Sequence, residues 1–195
     1  MGLFGRLFAL IGFLVVVGVA GAAVYFQSEL RAMQKLDPKA GEVYLHMMKT
    51  VLETGNAAEA TVWRVPLADG VSPSDADEAM KSVANEHNIK NVGELPLGKQ
   101  VTAMTGKEYR TAHIYMFCDP LTATRMLDFS DAFSAYLPCR VAMVEDKQGK
   151  VWLYTLNMDL MIHGGTPLPP DLKAEAEKVK ETILSIMHRG AEGDF

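Results

Sequence analysis

The sequence predicts an α+β fold in which helices pack on a curved, mostly antiparallel sheet, preceded by a single N-terminal transmembrane helix. Three observations indicate this. An uncharged apolar run of twenty residues extends from Leu7 to Phe26. What remains is roughly 155 residues, the size of one ordinary domain. Segments with strand and helix periodicity follow in the order β-α-β-β-α-β-β-α, which is typical of α+β proteins.

The apolar run is long enough to cross a bilayer, because twenty helical residues span about 30 Å. A cleaved signal peptide is the alternative, since Ala20-Gly21-Ala22 resembles a small-residue cleavage site. The run continues through Tyr25 and Phe26, beyond the apolar region of a typical signal, so we expect a retained anchor. Gly18 and Ala22 are four residues apart and predict a face for packing on another membrane helix.

The charges around the run give two opposite orientations. One arginine, Arg6, precedes the run, and Arg31, Lys35 and Lys39 follow it, so the positive-inside rule places the domain in the cytoplasm. A short leader with one arginine before an apolar run is, however, how an export signal begins. We expect a single span in the inner (cell) membrane with the domain in the periplasm.

Composition excludes several function classes. The net charge is −5 and no cluster of lysine and arginine stands out, so we predict no nucleic-acid partner. Two cysteines are too few for a disulfide framework. The chain has no P-loop, no dinucleotide-binding glycine motif, no nucleophile elbow and no H-E-x-x-H sequence. We therefore predict no catalytic residue and no cofactor.

The chain divides into four segments. Residues 1–36 are the predicted membrane anchor, and residues 37–57 a linker helix that Asp37 caps, with Pro38 as its first residue. Residues 58–190 are the predicted domain. The last five residues, 191–195, are expected to be frayed.

Periodicity assigns the first half of the domain. Alternation predicts a strand over residues 61–67, and Ser72 with Asp75 has the capping-box spacing at the start of a helix from Pro73 to about Asn88. A weaker strand is predicted over residues 93–104. Residues 110–118 are apolar at both alternate sets of positions, which predicts a strand that is covered on both sides or lines a pocket.

The second half begins with Asp119-Pro120, which starts a helix that ends at Leu137-Pro138. Residues 141–145 and 151–157, with Gly149 between them, predict a β-hairpin. An irregular loop over residues 158–170 follows. The last helix is predicted to start at a capping Asp171 and to close at Gly190.

The segment from Ile114 to Asn157 resembles the domain of unknown function 302 family. Asp119-Pro120, Leu137-Pro138, Gly149 and Tyr154 stand where that family has a strand ending in an Asx-Pro step, a Leu-Pro junction and a glycine-containing hairpin with a tyrosine. Where the family usually has aspartate-proline after the last tyrosine, this chain has Asn157-Met158. The resemblance implies a compact α+β fold similar to the TATA-binding-protein-like class, and it implies no activity.

The sharpest metal candidate is Met158-x-x-Met161-x-His163, because thioether and imidazole ligands suit Cu(I). The alternative is that both methionines fill the core while His163 faces water.

A second candidate site, for a small ligand, combines His113, Cys118 and Asp119. His113 would act there as an acid or base; its alternative is a hydrogen-bonded core histidine. If the strands that carry Cys118 and Cys139 are parallel neighbours, the cysteines lie roughly 20 Å apart and are buried, inert thiols.

These observations favour a non-catalytic, membrane-anchored accessory or interaction subunit of a bacterial membrane protein complex. Its predicted partners are membrane lipid and an integral membrane protein or complex. One alternative is a periplasmic domain that binds a small ligand or copper. Another is an uncharacterised enzyme, which would need a pocket with a perturbed His113 or Asp119.

Overall fold

The structure, a computed structural model, describes residues 2–195, apart from the side chain of Leu3. Its helices are α1 Leu3–Tyr25, α2 Gln27–Met33, α3 Ala40–Thr54, α4 Ala57–Ala60, α5 Pro73–Glu86, α6 Leu97–Thr105, α7 Pro120–Phe129, α8 Asp159–His163 and α9 Pro170–Glu192. Its strands are β1 Val62–Pro66, β2 Lys90–Leu95, β3 Ala112–Cys118, β4 Cys139–Glu145 and β5 Val151–Leu156. A short 3-10 helix, Asp131–Ala135, follows α7.

The five strands form one sheet in the order β1-β5-β4-β3-β2, and every neighbouring pair is antiparallel. This confirms the predicted α+β class with an antiparallel sheet, and the hairpin of β4 and β5 is present as expected. Helices α5 and α9 pack together on one face of the sheet. They approach so closely that a Cβ atom on Gly190 would lie 2.4 Å from Cγ of Met80.

The two faces of the sheet differ in burial because successive side chains of a strand point to opposite sides. The face under α5 and α9 carries the fully buried residues Tyr115, Phe117, Val141 and Leu153. The opposite face, called the open face below, carries apolar residues that are all only half-buried, namely Val62, Ile114, Met116, Ala142, Val144, Trp152, Tyr154 and Leu156. Strand β3 is therefore apolar on both sides but covered on one.

Two helices start as local capping chemistry predicts. Ser72 and Asp75 form a capping box at α5, and Asp119 accepts hydrogen bonds from the first N–H groups of α7, with proline next in the chain in both cases. Helix α7 ends at Phe129 rather than at Leu137, and the 3-10 helix carries the chain on toward β4.

The strand prediction over residues 93–104 is wrong beyond Leu95. Residues Leu97–Thr105 form α6, which ends at Gly106 in the left-handed conformation. The apolar residues Leu97, Val101 and Met104 recur at helical spacing, and this outweighs the short alternation that Val101 and Ala103 suggest.

Helix ends elsewhere also differ from the predictions. Helix α3 begins at Ala40, later than predicted, with Lys39 at the N-cap, and Asp37 accepts a hydrogen bond of 2.9 Å from the N–H of Lys39 in the turn before it. The predicted loop over residues 158–170 contains α8, whose first N–H, that of Asp159, is bound by the side chain of Asn157 at 2.9 Å.

The last helix is longer than predicted at its C-terminus. Asp171 lies in its first turn instead of capping it, and it pairs with Arg125. The helix passes Gly190 and ends at Gly193, which has a φ of 67°. Ala191 is buried, so the tail is not frayed at its start.

Candidate functional site

A small cavity lies in the core where α7, α8 and α9 meet the ends of β3 and β4. Its volume is about 30 Å³. Five sulfur-bearing side chains line it, together with apolar residues that include Phe117, Leu137, Ile162 and Val179. We call it the sulfur-lined cavity, and its five sulfur residues are Cys118, Met126, Cys139, Met158 and Met161.

The two cysteines lie near each other, which corrects the separation of roughly 20 Å expected from parallel strands. Strands β3 and β4 are antiparallel neighbours, and Cys139 pairs with Phe117, the residue before Cys118. Antiparallel pairing brings the end of one strand beside the start of the next, so both cysteines reach the same cavity. Both are free thiols.

The surroundings keep these thiols protonated at neutral pH. Burial, with a smaller contribution from Cys118, raises the pKa of Cys139 to about 11. Burial and the nearby Asp119 carboxylate also raise the pKa of Cys118. Because the thiolate is the nucleophile, neither cysteine is set up as a nucleophile in this structure.

The predicted copper ligands are divided between two places. Met158 and Met161 line the sulfur-lined cavity, but His163 does not. Its side chain is 2% exposed, and its Nδ1 lies 3.2 Å from Oδ1 of Asp37 while its Nε2 lies 2.9 Å from Oε1 of Glu177. The combination of these three ligands stays a prediction, and it would require His163 to leave both carboxylates. Within residues 2–195, His, Cys, Asp and Glu side chains form no group of three that could hold a metal.

His163 belongs to a charged network that ties the start of α3 to the domain. Asp37 is 1% exposed at its side chain, and it accepts a hydrogen bond of 2.6 Å from Nζ of Lys173. Burial alone would raise the pKa of Asp37, but the Lys173 ammonium, the N–H of Lys39 and the charge of His163 hold it at about 2. The Asp37 N–H also donates to the carbonyl oxygen of Gly165 at 2.8 Å. The network is structural, and sequence analysis missed it because its members are far apart in the chain.

His113 lies in a polar cleft at the other end of β3. Its Nε2 is 3.1 Å from Oε2 of Glu94, whose second oxygen is 3.0 Å from Nζ of Lys81. The imidazole stacks on the ring of Tyr115 with centroids 4.3 Å apart. The cleft has a volume of about 840 Å³ and is open to solvent. Burial, followed by the carboxylates of Asp77 and Glu94, raises the pKa of Tyr115, so it remains a neutral phenol.

The predicted ligand site of His113, Cys118 and Asp119 is thus not assembled in one place. His113 lies in the polar cleft, whereas Cys118 and Asp119 lie at the sulfur-lined cavity. The Asp119 carboxylate accepts from the N–H of Leu121 at 3.0 Å and from the N–H of Thr122 at 3.3 Å, which are helix-capping contacts. A binding role for any of the three stays a prediction. Glu94 and Lys81 were missed because no motif marks them in the sequence.

Helix α1 contains a stretch that is long and apolar enough to cross a membrane. Residues Phe4–Tyr25 have a mean hydropathy of 2.7, and none of the stretch is buried. A signal sequence near an N-terminus has the same properties. A Cβ atom added at Gly18 would meet no other atom within 4 Å. The packing role of Gly18 and Ala22 stays a prediction.

The comparison with protein families adds the decisive observation. Residues 63–190 match the family described as "Domain of unknown function DUF302". The chain belongs to this family. The resemblance inferred from the sequence is thereby confirmed, and all residues of the sulfur-lined cavity lie within the DUF302 domain.

A solved structure supports the same conclusion about the fold. The crystal structure of an uncharacterized conserved DUF302 protein from Bacillus stearothermophilus is similar to this chain, with a TM-score of 0.52 and 14% sequence identity. The similarity covers 66% of this chain and 97% of that one. At this identity the likeness concerns the fold alone. The search of curated proteins finds no match.

Proposed function

We propose that this DUF302 protein is a non-catalytic accessory subunit of a bacterial membrane protein complex. Helix α1 is the retained anchor in the inner membrane, and the domain lies on the periplasmic side. The observation that carries the proposal is the open face of the sheet, because it is an apolar sheet surface that the helices of the domain leave uncovered.

The composition of the open face suits protein recognition. Eight apolar residues of this face come from four adjacent strands, β1, β5, β4 and β3. Contiguous apolar patches of this kind are rare on soluble monomers and mark interaction sites. Trp152 and Tyr154 lie next to each other on the middle of this face, and such aromatic residues dominate the binding energy of interfaces.

Charges at the rim indicate the chemistry of the partner. The Arg64 guanidinium lies 5.1 Å and the Lys150 ammonium 5.0 Å from the ring centroid of Trp152. Arg140 is exposed on the same face. The Asp146 carboxylate accepts a hydrogen bond of 2.9 Å from Nε1 of Trp152 and adds one negative charge to this rim. An apolar ridge with carboxylates opposite the three cations would complement this arrangement. We infer that such a ridge belongs to an integral membrane protein, because the anchor confines the domain to the membrane surface.

The Trp152→Ala variant tests this assignment. Because Trp152 is the largest side chain of the open face, we expect the variant to bind its partner about 10-fold more weakly, as for an interface hot spot. The measurement is purification from native membranes in mild detergent, followed by quantitative mass spectrometry of the proteins that accompany wild type and variant.

Leu121→Ala is the matched control, since Leu121 is an exposed apolar residue on α7, away from the open face. It should retain the partner at the wild-type level. The proposal fails if the protein purifies alone at every mild condition tried, or if Trp152→Ala keeps as much partner as Leu121→Ala does.

The membrane span contributes to association with the partner separately from the open face. Replacing both Gly18 and Ala22 with leucine should weaken association, because close approach of two membrane helices requires small residues. The domain should stay folded, since neither residue is buried in it. Circular dichroism checks the fold, and the same co-purification measures the association. Unchanged association would mean that the span is a tether only.

A further inference from the structure

The sulfur-lined cavity combines features that the accessory role does not use. Five of its lining residues carry sulfur. Two of these, Met126 and Met158, are buried in the core, Cys139 is partly buried against it, and the half-buried Met161 lies on α8. Methionine is flexible and polarizable and often fills core gaps, so sulfur alone does not make a site. What matters is that a gap remains among these sulfur residues.

The size of the gap limits its occupant. A volume of about 30 Å³ holds one species of the size of a water molecule. Organic ligands occupy pockets about ten times larger or more. A water molecule would need two or more polar partners, and the side chains of Thr122 and Asp119 in the lining already bond to each other and to the first N–H groups of α7. A single ion with an affinity for sulfur fits both the size and the lining.

The ligand atoms of the lining select among such ions. Zinc favours thiolate and imidazole ligands, and no histidine lines the cavity. Soft thiolate and thioether ligands select Cu(I).

We propose that the sulfur-lined cavity is a Cu(I) site. Its ligands are one thiolate and three thioethers, those of Cys139, Met126, Met158 and Met161. Cys118 also lines the cavity, but it is the last residue of β3 and lies on the other side of the strand from Phe117, so Cys118 is not counted among the ligands. This inference is independent of the accessory role, because the cavity lies on the covered side of the sheet.

Binding involves no redox step. Cu(I) arrives in its reduced form and exchanges its previous ligands for the protein sulfur atoms. The Cu–S bond to Cys139 replaces the S–H bond, and the proton leaves to water. Met161 lines the site from α8. Unlike the copper ligands predicted from the sequence, this set contains no histidine. His163 therefore stays between the carboxylates of Asp37 and Glu177.

The test is an anaerobic Cu(I) titration of the full chain in detergent, in competition with a chromophoric Cu(I) chelator. We expect one Cu(I) per chain. Met161→Leu preserves volume but removes a sulfur atom, and it should lower the affinity about 10-fold. Cys139→Ala should lower it further, and X-ray absorption of the wild-type complex should show a copper shell of sulfur alone.

Met143→Leu is the matched control, because Met143 is buried on the same strand and face as Cys139 but lines the polar cleft instead. It should bind Cu(I) as wild type does. Absence of stoichiometric binding, equal affinities of wild type and Met161→Leu, or nitrogen in the copper shell would each overturn the proposal. Met161→Leu keeps the test decisive should Cys139→Ala fail to fold.

Discussion

Replacing Phe117 with alanine is expected to lower the free energy of unfolding by about 4 kcal/mol. Phe117 is fully buried in the hydrophobic core, and its ring stacks toward Tyr115 at a centroid distance of 6.4 Å. Because it also lines the sulfur-lined cavity, its removal joins a new void to an existing one. The measurement is urea unfolding of the full chain in detergent, followed by tryptophan fluorescence.

Ile114→Ala is the control for this experiment, because Ile114 lies on the same strand but on the open face. Ile114→Ala should lower the free energy of unfolding much less than Phe117→Ala does. The enlarged cavity of Phe117→Ala should also bind benzene, as dry engineered cavities do, and benzene should raise its Tm. If Phe117→Ala lowers the free energy of unfolding no more than Ile114→Ala does, the assignment of the covered and open faces is wrong.

Replacing Asp37 with alanine is expected to lower the free energy of unfolding by about 3 kcal/mol at pH 7. The substitution leaves His163 and Lys173 without their buried carboxylate partner. The cost should depend on pH. The folded-state pKa of Asp37 is about 2, below its usual value of 3.8, so its ionic stabilisation is present above about pH 5. It is lost as the pH falls toward 2, and the variant should approach wild type there.

Asp171→Ala is the matched control, because Asp171 pairs with Arg125 but lies exposed at the start of α9. At pH 7, Asp171→Ala should lower the free energy of unfolding much less than Asp37→Ala does. Urea unfolding at pH 7 and at pH 3 measures both variants. A pH-independent difference between Asp37→Ala and wild type would show that the carboxylate charge contributes nothing.

Local chemistry made parts of this fold predictable. The start of α5 depends on Ser72, Pro73 and Asp75, which are contiguous in the chain, and the start of α7 depends on Asp119-Pro120 in the same way. Such caps act within one turn of helix. The hairpin of β4 and β5 likewise joins residues that are close in sequence.

Contacts between distant residues were not predictable in this way. Asp37 has the local pattern of a helix cap, but its partners His163 and Lys173 are 126 and 136 residues away. The direction of β4 relative to β3 decided whether the cysteines meet, and a helical connection is compatible with either direction. Residues of β3 are apolar on both sides, so only the packing of α5 and α9 shows which side is covered.

The contact of Asp37 with α9 fixes how far the domain can travel. Only the eleven residues 26–36 separate the end of α1 from Asp37, and seven of them form α2. Even fully extended, such a segment spans at most about 40 Å. Once α1 has docked on a partner in the bilayer, as we propose, the open face meets that partner at an effective concentration near the millimolar range. An interface with only micromolar intrinsic affinity would then be almost fully occupied, and the same interface would be weak between molecules free in solution.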